Sequence, residues 1–254
     1  VYKRQVVAKP SEITPMTAYL LSKICKEINF PKGVLNIIHG RGKKLGDALT
    51  THQDVPIVSF TGGSDTGKHI SKVTAPYFKK LSLELGGKNP NIIFDDCDFD
   101  KAVSTASRAA FTNQGQICLC GSRVFVQNKI YEKFKSALVD KAKKLIVGNP
   151  KNSNSHLGAV VSEEHMNKIL LKINEAKKLG GILLCGGERL VLEGELKNGY
   201  YIQPTVFENL AYDCSINNEE IFGPVVTLIP FESEDDVIMM ANSSEFGLSA
   251  SIFT

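Results

Sequence analysis

The chain has 254 residues, of which 43% are hydrophobic and 22% charged, and its formal net charge is +3. This composition is typical of a globular protein with one large domain or two modest ones. Because no basic or aromatic stripe joins the short basic clusters, nucleic-acid binding is not expected. No apolar run approaches the roughly 18 residues of a membrane span, so no membrane partner is expected either.

The six cysteines show neither a C-x-x-C spacing nor a histidine at zinc-finger distance. We therefore expect reduced cysteines, a cytoplasmic location and no metal site. The chain lacks an initiator Met and stops within a predicted strand at residues 248–254. We expect it to be a fragment of a longer protein.

Apolar runs alternate with helical spacing along the first third of the chain. They predict strands at 6–8, 34–39, 55–60 and 80–85. They also predict three helices: one at 14–27, one that ends near residue 51 and one that begins near residue 64. This order of strands and helices is typical of a parallel, doubly wound sheet.

A second series of elements begins after Gly86 and Gly87, where we place a domain boundary. It predicts strands at 91–94, 124–126, 181–185, 204–207 and 225–231, and helices at 100–111, 129–145 and 162–179. The sequence thus predicts an α/β fold in two domains, at residues 1–86 and 87–254.

Cys118 lies in a segment rich in glycine and amides, between a predicted helix and a predicted strand. Such a loop can present a thiol together with backbone N–H groups. A thiolate is a strong nucleophile, although a free cysteine needs local help to ionise at neutral pH. The alternative is a buried structural cysteine, which periodicity alone favours.

Glu84 stands at the end of an apolar strand, where a buried acid is costly unless it has a partner or a task. Ligands of parallel sheets bind at strand ends, which favours a general base. A salt bridge to Lys88 or another neighbour is an equal alternative.

Two glycine-containing turns, at 40–46 and 60–67, each follow a strand and open a helix. Glycine allows close approach of a ligand, and helix N-termini attract phosphate, so both turns suit a nucleotide. The first turn lacks the G-x-G-x-x-G spacing, and for both segments a plain turn is an equal alternative.

Glu12 follows the first strand. Its carboxylate could accept hydrogen bonds from two ribose hydroxyls, or it could be an acidic residue that marks the start of a helix.

Five motifs, in this order and spacing, resemble the aldehyde dehydrogenase superfamily. They are Lys-Pro-Ser-Glu at 9–12, Phe-Thr-Gly at 60–62, Glu-Leu-Gly-Gly-Lys at 84–88, Asn-Gln-Gly-Gln followed by Cys at 113–118, and Glu-Glu-Ile-Phe-Gly-Pro-Val at 219–225. The similarity covers residues 6–254. It implies a partial Rossmann-like NAD domain followed by an α/β catalytic domain, with an aldehyde as the small-molecule substrate.

The resemblance implies that Cys118 is the nucleophile, passing through a thiohemiacetal and a thioester, and that its backbone N–H helps to hold the oxyanion. It implies that Glu84 activates the water that releases the acid. An acid at position 12 would repel a 2′-phosphate, which favours NAD over NADP. The implied NAD contacts are Lys9, Glu12, Gly42, Gly46, Phe60, Thr61, Gly62, Gly63, Gly67, Leu85, Lys168, Glu220 and Phe222.

Within the superfamily, residues 79–84 and 117–120 are most similar to dehydrogenases of muconic-type semialdehydes, such as those of tryptophan catabolism. The resemblance also implies a homo-oligomeric parent, a dimer or a tetramer. Because the family's oxyanion Asn lies upstream of this chain, we expect the 254 residues alone to be nearly inactive. His165 is interpreted as a variable surface position, and Cys120 as a bystander.

Three alternative functions fit the sequence less well. A non-catalytic protein on the same fold predicts a lost nucleophile or base, yet both are present. A papain-type hydrolase needs a histidine beside the thiol, and none of the five histidines lies in a recognisable motif. A CoA-acylating enzyme would not need the water-activating acid that Glu84 supplies.

Overall fold

A computed structural model describes residues 4–254, so the first three residues of the predicted first domain lie outside it. The chain forms two compact units, Val1–Leu85 and Gly86–Thr254.

The first unit contains four strands and three α-helices among its described residues. Its elements are β1 (Val6–Ala8), α1 (Met16–Glu27), β2 (Leu35–Ile37), α2 (Gly42–Thr50), β3 (Ile57–Thr61), α3 (Ser64–Thr74), a 3₁₀ turn (Ala75–Tyr77) and β4 (Lys80–Glu84). β1 pairs with β2 and β3 with β4, both in parallel. The predicted parallel pairing is confirmed, but the strands form two separate pairs rather than one continuous ladder.

Helix α1 begins two residues later than the sequence predicted. Pro15 takes the N-cap position, and its carbonyl accepts the first helical bond from the N–H of Tyr19 at 3.0 Å. Proline suits the entry to a helix because it has no N–H to lose there.

The second unit contains eight strands and five α-helices. They are β5 (Pro90–Ile93), α4 (Phe99–Phe111), β6 (Arg123–Gln127), α5 (Tyr131–Lys143), α6 (Glu163–Lys178), β7 (Ile182–Cys185), β8 (Arg189–Leu190), β9 (Tyr201–Ile202), β10 (Thr205–Glu208), α7 (Ser215–Asn218), β11 (Val225–Phe231), α8 (Glu234–Ala241) and β12 (Ser251–Phe253). Six strands form one sheet in the order β12-β5-β6-β11-β10-β7, and β8 pairs with β9 separately.

This sheet is mixed, because β7 at one edge runs antiparallel to β10. Parallel neighbours need a crossover, usually through a helix. Residues 186–204, which join β7 to β10, instead contain the antiparallel pair β8–β9 and a 3₁₀ turn. The chain therefore returns without crossing the sheet.

Helices cover both faces of this sheet. In β6, Val124 and Val126 pack with residues of α4 and α5, whereas Phe125 packs on the other face with Val237 of α8. All three strand residues are fully buried. This is why the strand appears in the sequence as a continuous apolar run without alternation.

Candidate active site

The loop between α4 and β6, residues 112–122, is called the Cys118 loop below. It opens with a 3₁₀ turn in which Asn113, Gln114 and Gly115 all have positive φ, at 52°, 57° and 68°. Two of these residues carry side chains, and left-handed backbone at such residues stores strain that surrounding contacts must hold. Strain of this kind is concentrated at functional sites.

Position 115 requires glycine for two reasons: its φ is positive, and the backbone at Gly223 lies close to it. A Cβ added there would lie 2.1 Å from the carbonyl oxygen of Gly223. The side-chain Oε1 of Gln116 accepts a hydrogen bond from the N–H of Val161 at 3.0 Å. The start of the loop is thereby attached to the segment before β11 and to the segment that precedes α6.

Cys118 is half-buried, and its backbone carbonyl accepts a hydrogen bond from a side chain of the neighbouring segment. Asn89 donates through Nδ2 to the carbonyl oxygens of Cys118 at 2.7 Å and Cys120 at 3.0 Å. A Cβ at Gly87 would come 2.6 Å from the Cys118 oxygen. The second glycine of the Glu-Leu-Gly-Gly-Lys motif is therefore needed for the loop to approach.

Two residues further on, Cys120 is only 8% exposed. Burial is the main cause that raises the pKa of the Cys120 thiol, which disfavours its thiolate. Of the two neighbouring thiols, Cys118 is the more accessible.

Glu220 lies against the same glycine pair. Its Oε1 accepts a hydrogen bond from the N–H of Gly87 at 3.3 Å. A Cβ at Gly86 would fall 2.3 Å from its Oε2, so the first glycine of the motif makes room for this carboxylate. Burial raises the pKa of Glu220, while the Gly87 N–H and the charge of Lys88 act in the opposite direction.

Phe222 follows two residues later, with a φ of 54°. The Nε2 of His165 lies 2.6 Å from its carbonyl oxygen. His165 is half-buried and contacts this carbonyl; its interpretation as a variable surface position stays a prediction. Lys168, one turn along α6, is 66% exposed and pairs with Glu164 at 2.7 Å; its contact with a cofactor stays a prediction.

In the first unit, Glu84 is the exposed last residue of β4. Its carbonyl accepts a hydrogen bond from the N–H of Gly62 at 3.0 Å, which aligns it with the turn between β3 and α3. Gly63 is the N-cap of α3, and a Cβ there would meet no atom within 4 Å. Backbone N–H groups at this helix start are free of side-chain caps.

Glycines at the same turn also permit local packing. A Cβ at Gly67 would lie 2.5 Å from the side chain of Leu85, which rests on α3 at this point. A Cβ at Gly62 would lie 2.5 Å from the ring of Phe60. The side chains of Leu85, which follows β4, and of Phe60 in β3 thus account for Gly67 and Gly62, whereas no such contact accounts for Gly63.

The first β-α junction of this unit forms an open cleft of about 470 Å³. Lys9 donates to the carbonyl of Gly40 at 3.3 Å and lies 3.6 Å from Glu12. The Glu12 carboxylate accepts a hydrogen bond from the N–H of Gly42 at 3.4 Å, at the start of α2. Its own backbone N–H is the main cause that lowers the pKa of Glu12, so the group is an anion at neutral pH.

Sequence reasoning missed a group of buried polar residues next to the Glu-Leu-Gly-Gly-Lys motif. Asn89 is 3% exposed, Lys88 2% and Arg123 1%. Arg123 donates to the carbonyls of Lys88 at 2.9 Å and of Ala241 at 2.9 Å. Nothing in the local sequence distinguishes these residues from solvated ones, because their partners are distant along the chain.

Residues 4–254 match the aldehyde dehydrogenase family over their whole length. The chain belongs to the aldehyde dehydrogenase family. The resemblance inferred from the five motifs is thereby confirmed.

Curated relatives of this aldehyde dehydrogenase chain include 2-aminomuconic semialdehyde dehydrogenase of Bos taurus, 41% identical over 98% of this chain and 52% of its own length. Another is 4-trimethylaminobutyraldehyde dehydrogenase A of Danio rerio, 44% identical over 98% of this chain and 49% of its own. The chain spans about half the length of the curated relatives it matches.

Among solved structures, a betaine aldehyde dehydrogenase of Staphylococcus aureus in complex with NAD+ superposes with a TM-score of 0.95. It is 45% identical, over 98% of this chain and 51% of its own. The α/β fold is confirmed by this match. That crystal contains a cysteine modified by BME.

Within the described part of this aldehyde dehydrogenase chain, no three His, Cys, Asp or Glu side chains are grouped so that they could hold a metal ion. Along residues 4–254, none of the helices combines the length and the apolar character needed to cross a lipid bilayer.

Proposed function

We propose that this chain carries the nucleotide-binding and catalytic parts of an NAD-dependent enzyme that oxidises an aldehyde to a carboxylic acid. We assign residues 1–86 to the NAD-binding domain and 87–254 to the catalytic domain, which is supported by the division of the chain into two compact units after Leu85. The observation that carries the proposal is the strained, hydrogen-bonded loop that leaves Cys118 accessible while Cys120 is buried.

Cys118 is the nucleophile in this proposal. Its thiolate adds to the aldehyde carbon, which forms a C–S bond and a thiohemiacetal oxyanion, and a backbone N–H of the loop stabilises that oxyanion. Bound NAD supplies the hydride acceptor for the oxidation. The substrate is then held on Cys118 as a thioester.

Glu84 is the base of the second half-reaction. Its carboxylate takes a proton from water, whose oxygen attacks the thioester carbon. The C–S bond breaks, the carboxylic acid leaves and the Cys118 thiolate is regenerated. An exposed acid at the end of a parallel strand is well placed for this task.

The cleft at the first β-α junction fits the adenosine part of NAD. Gly46 lies inside α2, and a Cβ there would meet no atom within 4 Å, so packing does not explain the glycine. Glycine inside a helix costs about 0.5–1 kcal/mol relative to alanine, which a flat ring lying on the helix would justify. Glu12 can accept from two ribose hydroxyls, with Lys9 beside it.

The turn between β3 and α3 fits a pyrophosphate. Phe60, Thr61 and Gly62 lead into it, and the N-cap Gly63 leaves the first N–H groups of α3 open to an anion. On the other unit, Glu220 and Phe222 are proposed to contact the nicotinamide ribose, with Lys168 as a further ribose ligand.

For the substrate we propose a muconic-type semialdehyde, as in tryptophan catabolism. Support comes from the residues at 79–84 and 117–120 and from the name of one relative. Other relatives are named for trimethylaminobutyraldehyde and betaine aldehyde, so a substrate panel must include these. We also propose a cytoplasmic homo-oligomer; one relative from Mus musculus is named as cytosolic.

The test is a kinetic comparison of the full-length protein with its Cys118→Ser and Glu84→Gln variants, using that aldehyde panel with NAD or NADP. We expect Cys118→Ser to abolish NADH formation. Glu84→Gln should give one rapid burst of NADH and then accumulate a mass adduct on Cys118, because water is no longer activated. Unchanged turnover of Cys118→Ser would refute the proposal.

Cofactor choice is tested in the same assay with Glu12→Gln. The substitution removes the charge that repels a 2′-phosphate, and the relative use of NADP should rise by about tenfold. Lys43→Gln, an exposed neighbour on α2, is the matched control and should leave the preference unchanged.

A further inference from the structure

We infer that Asn89 is a positioning residue that determines which of two neighbouring thiols, Cys118 or Cys120, is presented for reaction. The inference deepens the proposed function, since it rests on Cys118 as the nucleophile for its catalytic meaning. Its test follows thiol labelling and does not depend on turnover.

The Asn89 side chain uses all its hydrogen-bonding groups on the loop and its support. Nδ2 donates to the carbonyls of both Cys118 and Cys120, at 2.7 and 3.0 Å. Oδ1 accepts from the N–H of Ser249 at 3.0 Å. Asn89 is 3% exposed, so no water competes freely for these bonds. Without this donor the Cys118 carbonyl loses its hydrogen bond from Asn89, and the Cys120 carbonyl keeps only the one from the N–H of Ser122 at 3.0 Å.

One amide therefore fixes two carbonyls that are two residues apart. Between them the chain makes a tight turn, with the N–H of Cys120 donating to the carbonyl of Ile117 at 3.0 Å. With both carbonyls held toward Asn89, Leu119 is directed outward at 56% exposure, whereas Cys120 is buried at 8%. The orientation of the backbone thus separates the two thiols, although both lie on the same short loop.

Glycine at position 87 allows this contact. A Cβ added at Gly87 would lie 2.6 Å from the Cys118 carbonyl oxygen and 2.9 Å from Asn89 Oδ1. Without the Asn89 donor, the peptide that follows Cys118 and the peptide that follows Cys120 can rotate, and Cys120 can leave its buried position. Asn89 thereby keeps the second thiol from replacing or reacting with the first.

Asn91 provides a matched control. It lies two residues along, in β5, and is also fully buried. Its Oδ1 accepts from Ser251 Oγ at 3.0 Å, while its Nδ2 has no partner among the described residues. Replacing it should disturb β5, which begins directly after Asn89, without releasing either cysteine carbonyl.

The experiment measures the rates at which iodoacetamide labels individual cysteines of the native chain, with fragment-ion mass spectrometry to separate Cys118 from Cys120. In the unmodified chain Cys118 should label at least about tenfold faster than Cys120. In Asn89→Asp, which keeps the shape and the acceptor but loses both donations, the ratio should fall about tenfold. Asn89→Ser, with one hydroxyl donor, should give an intermediate ratio.

Cys185 of β7 is half-buried like Cys118 and lies outside the Cys118 loop, so its labelling rate reports changes elsewhere in the fold and should stay constant in each variant that is compared. Asn91→Ala should keep the unmodified ratio. An unchanged ratio in folded Asn89→Asp, or an equal fall in Asn91→Ala, would overturn the inference. Neither result would bear on the turnover of Cys118→Ser, so the proposed function would be judged separately.

Discussion

The imidazole of His165 holds Phe222 by two contacts. Its Nε2 lies 2.6 Å from the Phe222 carbonyl oxygen. The two rings meet edge to face, with centroids 6.0 Å apart. Phe222 has a φ of 54°, which a bulky side chain adopts only when its surroundings hold it. His165 thus stabilises a strained backbone beside the proposed nicotinamide-ribose contact.

Replacing His165 by alanine should loosen this segment, because both the donor and the ring contact are lost. We expect amide hydrogen exchange at Gly223 and nearby residues to become about tenfold faster, which corresponds to the loss of one hydrogen bond. His165→Gln retains an amide donor and should change exchange by less than about threefold. Hydrogen exchange of the native chain, followed by mass spectrometry, measures both variants.

Lys168→Ala serves as the control for His165. Lys168 lies on the same helix but pairs only with the exposed Glu164 in the contacts described above. Such surface pairs contribute little. If Lys168→Ala accelerated exchange at Gly223 as much as His165→Ala did, the effect would belong to α6 as a whole and the specific role of His165 would be refuted.

Lys88 gives a prediction for the pH dependence of stability. Burial, and secondly the charge of Arg123, lower its pKa to about 7. In the unfolded chain the pKa of a lysine is about 10.4. Between these values the unfolded chain binds a proton that the folded chain lacks, so the free energy of unfolding rises with pH. The penalty for burying the ammonium is fully present below about pH 7.

Urea unfolding between about pH 6 and pH 8.5 measures this contribution, which has a limiting slope of about 1.4 kcal/mol per pH unit. Lys88→Met should flatten the dependence and raise stability at the acid end, because an apolar side chain replaces a buried charge. Lys151→Met, at an exposed position, should leave the slope as it is. A slope that persists in Lys88→Met would exclude Lys88 as its source.

The fold was most predictable where apolar runs are long. Strand 225–231 was predicted with the bounds that β11 has, because burial of six of its seven residues leaves a run in which only Thr227 is polar. Helix α8 was not predicted, although Ser233 and Asp236 form a capping box at its start. The helix has only eight residues, which is too short for a clear periodic pattern. The two-residue strands β8 and β9 carry no periodic signal at all, and only tertiary pairing defines them.

The motifs allowed candidate site residues to be predicted, but not the residues that hold them in place. Cys118, Glu84 and the glycine turns were selected from spacing and resemblance. Asn89 was not selected, because its role depends on the carbonyls of Cys118 and Cys120, which the fold brings to it. The positive φ of Gln114 could not be predicted either, since glutamine has no preference for that conformation and tertiary contacts impose it.

Gly115 should be the least replaceable glycine of the Cys118 loop. It has a φ of 68°, and a Cβ would lie 2.1 Å from the Gly223 carbonyl oxygen. Gly115→Ala combines a left-handed backbone with a clash against main chain, so we expect a loss of about 3 kcal/mol in the free energy of unfolding. Gly247→Ala, where a Cβ meets nothing within 4 Å, is the comparison. Equal urea unfolding midpoints for the two variants would contradict the predicted strain in Gly115→Ala.

Gly46→Ala separates stability from cofactor binding, because the two effects should have opposite signs. Gly46 is inside α2 and a Cβ there meets no protein atom within 4 Å, so alanine should stabilise the helix by about 0.5–1 kcal/mol. If the adenine of NAD lies on this helix, as proposed, even one methyl group obstructs it.

The measurement pairs urea unfolding with calorimetric titration of NAD into full-length protein. We expect Gly46→Ala to raise the unfolding midpoint while weakening NAD binding by about tenfold, the effect of a methyl group forced into a close contact. Ala48→Gly, at an exposed position of the same helix, should lower stability without changing the NAD affinity. Stabilisation with unchanged affinity in Gly46→Ala would place the adenine elsewhere, because an alanine methyl facing the bound ring cannot be accommodated without cost.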